Sequence, residues 1–417
     1  MDEKAGLNSW EEVSRLILPA LAVGITAGCL ASLYRLTLEY ADDLRETMFA
    51  YASSPLRWLA VIAAVAIIGL VVVMLASKEP VIMGGGVAQF RQMQEGKFNP
   101  GWAKVMVKRF AAGALCIVSG LSLGRGGPSV HLGALASQGI LERFKLSEED
   151  GRSLIVCGAC AGLSAAFSAP LAGMLFTLEL IHKQFRIKST VPMLVSTLGA
   201  CAVSYLLFGA QPLVSVVSEA QIVLNNHYIY LIIGVVMGVV GSVFVHLSKL
   251  SFKAYSNVTV PNQLKMLLPF LVAGVIGRLL PGALGCGYSF LIDPAIFGYG
   301  VYTLAAIFVG RFLFFLLCFS SLAPGGLIFP LLTLGAVAGM VAGAVCIPLL
   351  GLQQEYLKVF MMLGMAGMFA SVVRTPLTAI ILVAEITGAF PQLYGLAVVA
   401  CISWLTACFL RSRPIFD

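Results

Sequence analysis

The feature that most limits what this chain can fold into is a succession of apolar runs, each about long enough to cross a lipid bilayer. A helix needs about 20 predominantly apolar residues to span the hydrocarbon core. Residues 16–33, 59–75, 229–247, 327–350 and 393–410 meet or approach that requirement. Runs at 105–123, 154–180, 266–280, 305–322 and 359–386 are short, carry a basic residue, or are cut by Gly and Pro. With 59% hydrophobic and 11% charged residues and a mean hydropathy of +0.94, the composition excludes a soluble domain. It predicts an all-α polytopic membrane protein. One transmembrane domain is expected over 15–410, between an N-terminal tail at 1–14 and a C-terminal tail at 411–417.

The first run reads as a membrane helix and not as a cleaved signal. Asp2, Glu3, Glu11 and Glu12 precede it, where a signal peptide carries basic residues. Basic residues near membrane ends set orientation. Lys104, Lys108 and Arg109, then Lys183, Arg186 and Lys188, then Arg411 and Arg413 are assigned to the cytoplasmic side, with both termini, in a multi-pass cell membrane protein. The net charge of +7 suits this topology and calls for no nucleic acid. Ten cysteines lie in or beside apolar segments. Cys157-x-x-Cys160 falls in a small-residue run suited to helix packing, so neither a metal site nor a cofactor is expected.

Gly124-Arg125-Gly126-Gly127-Pro128 opens one interrupted apolar segment. Glycine permits close backbone approach, and the first turn of a helix offers unpaired N–H groups at its positive end. Such a start is a ready anion site. An internal repeat strengthens this reading. Ala161-Gly162 leads to Pro170-Leu171 and Glu179, and Ala366-Gly367 leads to Pro376-Leu377 and Glu385. Each glutamate stands nine residues after its proline. A glycine–proline breaker precedes each copy: Gly126-Gly127-Pro128, then Pro324-Gly325-Gly326 with Pro330. Interrupted segments in matching places of two halves, here roughly 15–210 and 225–410, point to a transporter's binding site.

These residues resemble the CLC family of chloride channels and proton/chloride exchangers, in its bacterial form without cytoplasmic CBS domains. The resemblance rests on Gly84-Gly85-Gly86, Gly124-Arg125-Gly126-Gly127-Pro128, Gly325-Gly326-Leu327-Ile328-Phe329-Pro330, the segments around Glu179 and Arg374, and Arg413-Pro414-Ile415-Phe416. It implies a homodimer of inverted-repeat subunits, each made of tilted and interrupted helices around its own pore for chloride or a similar small anion. It also implies anion contacts at Gly85, Arg125, Gly126, Gly127, Leu327, Ile328, Phe329 and Phe416, with Gly126 at the gating position.

The departures from the family pattern shape the expected activity. The exchangers carry a glutamate where this chain has Gly126 and a second where it has Leu180, with Glu179 beside it as the available carboxylate for a proton path. The hydroxyls that usually hold the middle anion fall at Gly85 and Phe416. Without a titratable relay at Gly126 and Leu180, the expected function is passive, uncoupled anion conduction and not catalysis. A proton-coupled antiporter with an altered proton path is the alternative. A cation transporter would draw on Glu179, Glu385 and Asp293. An intramembrane serine protease would use Gly162-Leu163-Ser164-Ala165 with His246.

Overall fold

A computed structural model describes residues 2–97, 101–142, 146–182, 187–215 and 227–416. Lys183 and Arg186 of the expected cytoplasmic cluster lie outside the described residues. The described residues are mostly helical. The first half holds α1 (Asp2–Ala50), α2 (Pro55–Lys78), α3 (Val87–Gln94), α4 (Trp102–Val118), α5 (Gly126–Leu141), α6 (Glu148–Phe167), α7 (Pro170–Thr177) and α8 (Ile187–Phe208). The second holds α9 (His227–Asn257), α10 (Asn262–Lys265), α11 (Leu267–Leu279), α12 (Tyr288–Ile292), α13 (Val301–Ser320), α14 (Ile328–Leu350), α15 (Tyr356–Val373), α16 (Pro376–Thr387) and α17 (Leu393–Phe409). Among the described residues, eight helices are long and apolar enough to cross a membrane.

Both ends of the chain differ from simple tails. No proline interrupts residues 2–18, and this stretch forms the first turns of α1, with Pro19 inside the helix. The C-terminal residues turn back onto the protein, where the Ile415 N–H donates to the Val372 carbonyl at 3.1 Å.

The apolar runs 154–180 and 359–386 each break into two helices in the same way. Ser168 ends α6 with φ 53°, and α7 begins at Pro170. Arg374 ends α15 with φ 69°, and α16 begins at Pro376. A proline disfavours helix in the residue before it, yet its own fixed φ suits the first helical position. The pairs Ala169-Pro170 and Thr375-Pro376 therefore stop one helix and start the next in the two halves.

Small residues let helices pack closely where lipid offers no hydrophobic drive. Gly24 and Gly28 of α1 lie against Ser196 and Ala200 of α8, and a Cβ on Gly24 would sit 2.3 Å from the Ser196 carbonyl oxygen. Because 24 pairs with 196 and 28 with 200, these helices run parallel. Gly133 of α5 meets the Gly158 backbone of α6, and Gly335 of α14 meets the Gly364 backbone of α15. These two equivalent pairs form the centre of the molecule, with α15 buried along nearly its whole length.

Alternation of α1 and α2 defines two faces. The end of α2, α3 and the C-terminal residues share one, here the carboxy-terminal face. The ends of α1 and α8 lie on the opposite face.

Candidate anion site between paired helix starts

Gly124 and Gly326 bring the two glycine loops together. Each donates its N–H to the other's carbonyl, at 2.8 Å and 2.6 Å, in an antiparallel bridge. The starts of α5 and α14 follow at once on either side. Both helices carry proline as their third residue, Pro128 and Pro330. Their first intrahelical bonds run from Ser129 N to the Arg125 carbonyl and from Leu331 N to the Leu327 carbonyl. The N–H groups of Gly126, Gly127, Ile328 and Phe329 therefore precede the hydrogen-bonded turns. The two helix starts meet in buried surroundings, with a Cβ on Gly126 only 3.0 Å from Ile328, and paired starts of this kind offer free amide donors and positive dipole ends to an anion.

This closeness requires glycine at 127 and leaves little room for a side chain at 126. A Cβ on Gly127 would lie 2.1 Å from the Gly85 carbonyl oxygen, and one on Gly126 would lie 3.0 Å from Ile328 and Phe167. The loop Gly84-Gly85-Gly86 thus packs directly against the loop Gly124-Arg125-Gly126-Gly127. Gly84 and Gly86 adopt φ 74° and 94°, whereas Gly85 does not need a left-handed conformation. The nearest atom to a Cβ on Gly85 is the Gly325 carbonyl oxygen at 3.8 Å, so this position has room for a side chain.

Arg125 precedes α5 and is 6% exposed. Its guanidinium lies 5.4–5.8 Å from the rings of Tyr288, Phe329 and Phe167, a cation–π arrangement. Its Nη1 donates to Glu39 Oε1 at 3.3 Å, while Nη2 is buried without a partner. Phe167 and Phe329 stack with centroids 6.1 Å apart beside Gly126. Arg109 is fully buried nearby, donating from Nη1 to the Ile82 carbonyl, with Nη2 facing Gly86.

Cavities flank this junction on both faces. On the carboxy-terminal face, Gly85, Arg91, Glu95, Gly325 and Phe416 line a cavity of about 380 Å³. Gly85 and Phe416, far apart in sequence, meet there. The Phe416 ring stands edge-on to Phe176 at 6.4 Å. Arg91 ties two of the expected positions together: Nη1 donates to the Phe416 carbonyl at 3.2 Å and Nη2 to the Leu180 carbonyl at 3.5 Å. On the opposite face, Arg45, Glu46, Gly287, Ser289 and Arg311 line a cavity of about 750 Å³.

Leu180 is buried and apolar. Glu179 turns away to the start of α16, where its carboxylate accepts from Leu377 N at 3.0 Å, Thr378 N at 2.7 Å and Thr378 Oγ1 at 2.5 Å. Glu385 mirrors it, accepting from Leu171 N at 3.1 Å and Ala172 N at 2.8 Å. Both glutamates are anionic caps on helix starts. Ser164 donates to the Pro170 carbonyl at 3.4 Å and packs on Gly173. His246 stands on α9, lining a separate cavity with Lys249, Arg411 and Arg413. The Gly-x-Ser pattern is thereby explained as α6–α7 packing.

Sequence reasoning missed Arg91 and Glu39. A signal for Glu39 was present. Arg35, Glu39, Asp42 and Glu46 recur at helical spacing on one face, directly after the apolar run that begins α1 in the membrane.

The chain matches the voltage gated chloride channel family over residues 69–407. It is 30% identical over 417 residues to the H(+)/Cl(-) exchange transporter ClcA of Citrobacter koseri, covering 96% of this chain and 87% of that protein. The Vibrio parahaemolyticus ClcA is 29% identical over 415 residues, with 96% and 88% covered. Among solved structures, a slow cyanobacterial Cl-/H+ antiporter superposes with a TM-score of 0.89 at 24% identity, covering 96% of both chains. A CLC-type fluoride/proton antiporter gives 0.82 at 22% identity, covering 97% of both. The chain belongs to the voltage gated chloride channel family, and its fold is the CLC fold.

Proposed function

We propose that this protein conducts small anions, chloride foremost, passively across the cell membrane through a pore in each subunit of a homodimer, with both termini cytoplasmic. The relatives' names support anion transport. The observation that carries the uncoupled reading is Gly126. At the point where the α5 and α14 starts converge, this chain supplies backbone amides and no carboxylate. Amides replace part of an anion's hydration by fixed dipoles without competing for the site, and conduction needs binding weak enough to release. Leu180, also apolar, offers no proton acceptor further in. The contacts named at Gly85, Arg125, Gly126, Gly127, Leu327, Ile328, Phe329 and Phe416 are the proposed pathway, with Gly126 at the gating position.

A proton-coupled antiporter is the second reading, favoured by the relatives' names as exchangers. Glu179 is its available carboxylate, but three donors already occupy that group at the α16 start. Purified protein in liposomes separates the two. Under a chloride gradient, anion efflux is expected with no uphill proton movement. Proton pumping driven by chloride alone would replace the channel reading with the exchanger.

A further inference from the structure

Two arginines share one carboxylate beside the anion site. Glu39 Oε1 lies 2.9 Å from Arg35 Nε and 3.3 Å from Arg125 Nη1. Arg35 is fixed in place: its Nη1 donates to Ser168 Oγ at 3.0 Å, and its guanidinium lies 3.9 Å from the centroid of the Phe208 ring. Phe208 ends α8, so the group sits toward the opposite face. The Glu39 side chain is 26% exposed, within reach of solvent, whereas that of Arg125 is 6% exposed.

We infer that Glu39 sets how strongly the anion is held at this end of the site. It takes one terminal nitrogen of Arg125 and leaves the other for the mobile ion. This rests on the anion reading of the site given above. Nη2 of Arg125 is buried and has no partner. A guanidinium is always charged and presents a rigid fork of donors, so a buried arm without a protein acceptor suits an anion best. The formal charges of Arg35, Arg125 and Glu39 leave a single positive excess, enough to attract an anion without trapping it. The three groups come from two places in the chain: α1 contributes Arg35 and Glu39, and the glycine loop contributes Arg125. Glu39 is thus an affinity-determining residue outside the glycine motifs.

This reading fixes opposite signs for two variants. Glu39→Gln keeps the shape and one acceptor oxygen but raises the local excess to two positive charges. Arg35→Gln lowers it to zero. Chloride titration of the full-length protein by calorimetry should give about tenfold tighter binding for Glu39→Gln and about tenfold weaker binding for Arg35→Gln. That is the order expected for one unit charge a few ångströms away in a partly screened site. The double variant should return close to wild type. A merely structural ion pair would move both single variants in the same direction or neither, and either result overturns the inference. If Glu39→Gln fails to fold, Arg35→Lys decides: it keeps the charge but not the bonds of Arg35, so affinity close to wild type is expected, and a loss equal to that of Arg35→Gln overturns the inference. Chloride-driven proton pumping by the wild type would defeat the passive reading while leaving these binding shifts intact.

Discussion

Glu385 accepts the N–H groups of Leu171 and Ala172 at the start of α7, and Glu179 accepts those of Leu377 and Thr378 at the start of α16. Each half of the chain therefore supplies the anion that caps a helix of the other. The repeat seen in sequence as Pro-Leu and a glutamate nine residues on is a reciprocal contact in space.

That contact is expected to matter for stability and not for transport. Glu179→Gln and Glu385→Gln each leave helix-start donors with a poorer acceptor, at a cost of about 1–3 kcal/mol. Thermal unfolding in detergent should show a similar drop in melting temperature for both. Anion flux through the surviving folded Glu179→Gln protein should match wild type. A selective loss of proton movement in that variant would instead mark Glu179 as a relay.

Gly126→Glu should slow anion flux at neutral pH by about tenfold or more. The new carboxylate stands at a helix start beside Arg125, where it competes with the mobile anion. It must also displace Ile328 or Phe167, each 3.0 Å from the new Cβ. Gly126→Ala separates the two effects, since it adds the crowding without the charge. Acidification should restore flux only in the glutamate variant, and Leu180 should keep it uncoupled. Efflux from liposomes measured from neutral to acid pH checks all three statements.

Gly85→Ser and Phe416→Tyr should strengthen anion binding from the carboxy-terminal face. Position 85 has an unstrained φ and space around it, and Phe416 faces the same cavity. A hydrogen bond to a charged partner contributes about 1.5–3 kcal/mol, which is roughly ten- to hundredfold in affinity. Chloride calorimetry on both variants tests this. Unchanged affinity in both would leave the helix-start amides as the whole of the site.

Arg91→Gln should lower flux severalfold at low ionic strength, with the deficit shrinking as salt is raised. Arg91 lines the carboxy-terminal cavity and fixes the carbonyls of Phe416 and Leu180. Loss of its charge weakens attraction of anions, an effect screened over about 10 Å at 0.1 M salt. A deficit independent of salt would assign Arg91 to bracing Phe416 alone.

Much of this architecture was legible in sequence because hydrophobic length and proline placement act locally. The interrupted runs around Pro170 and Pro376 break where their residues dictate. The glycine–proline pairs that open both helices were legible, but the approach of Gly126 to Ile328 was not, because it is a contact between the two halves. Arg91 and Glu39 were not, because their partners lie elsewhere in the chain: Arg91 bonds the carbonyl of Phe416, and Glu39 bonds Arg125. The role of Glu179 stayed open in sequence: a carboxylate in an apolar run reads first as a functional group, while its counterpart Glu385 in the repeat suggests a structural or capping residue. Only the position of α16 shows what it holds.

The bridge between Gly124 and Gly326 bears on how an ion can get through. Two backbone hydrogen bonds join the glycine loops of the two halves beside the proposed path. Rocking one half against the other would break both of these bonds together and so costs their combined energy. A movement confined to the side chains beside Gly126, those of Phe167 and Ile328, leaves both bonds intact.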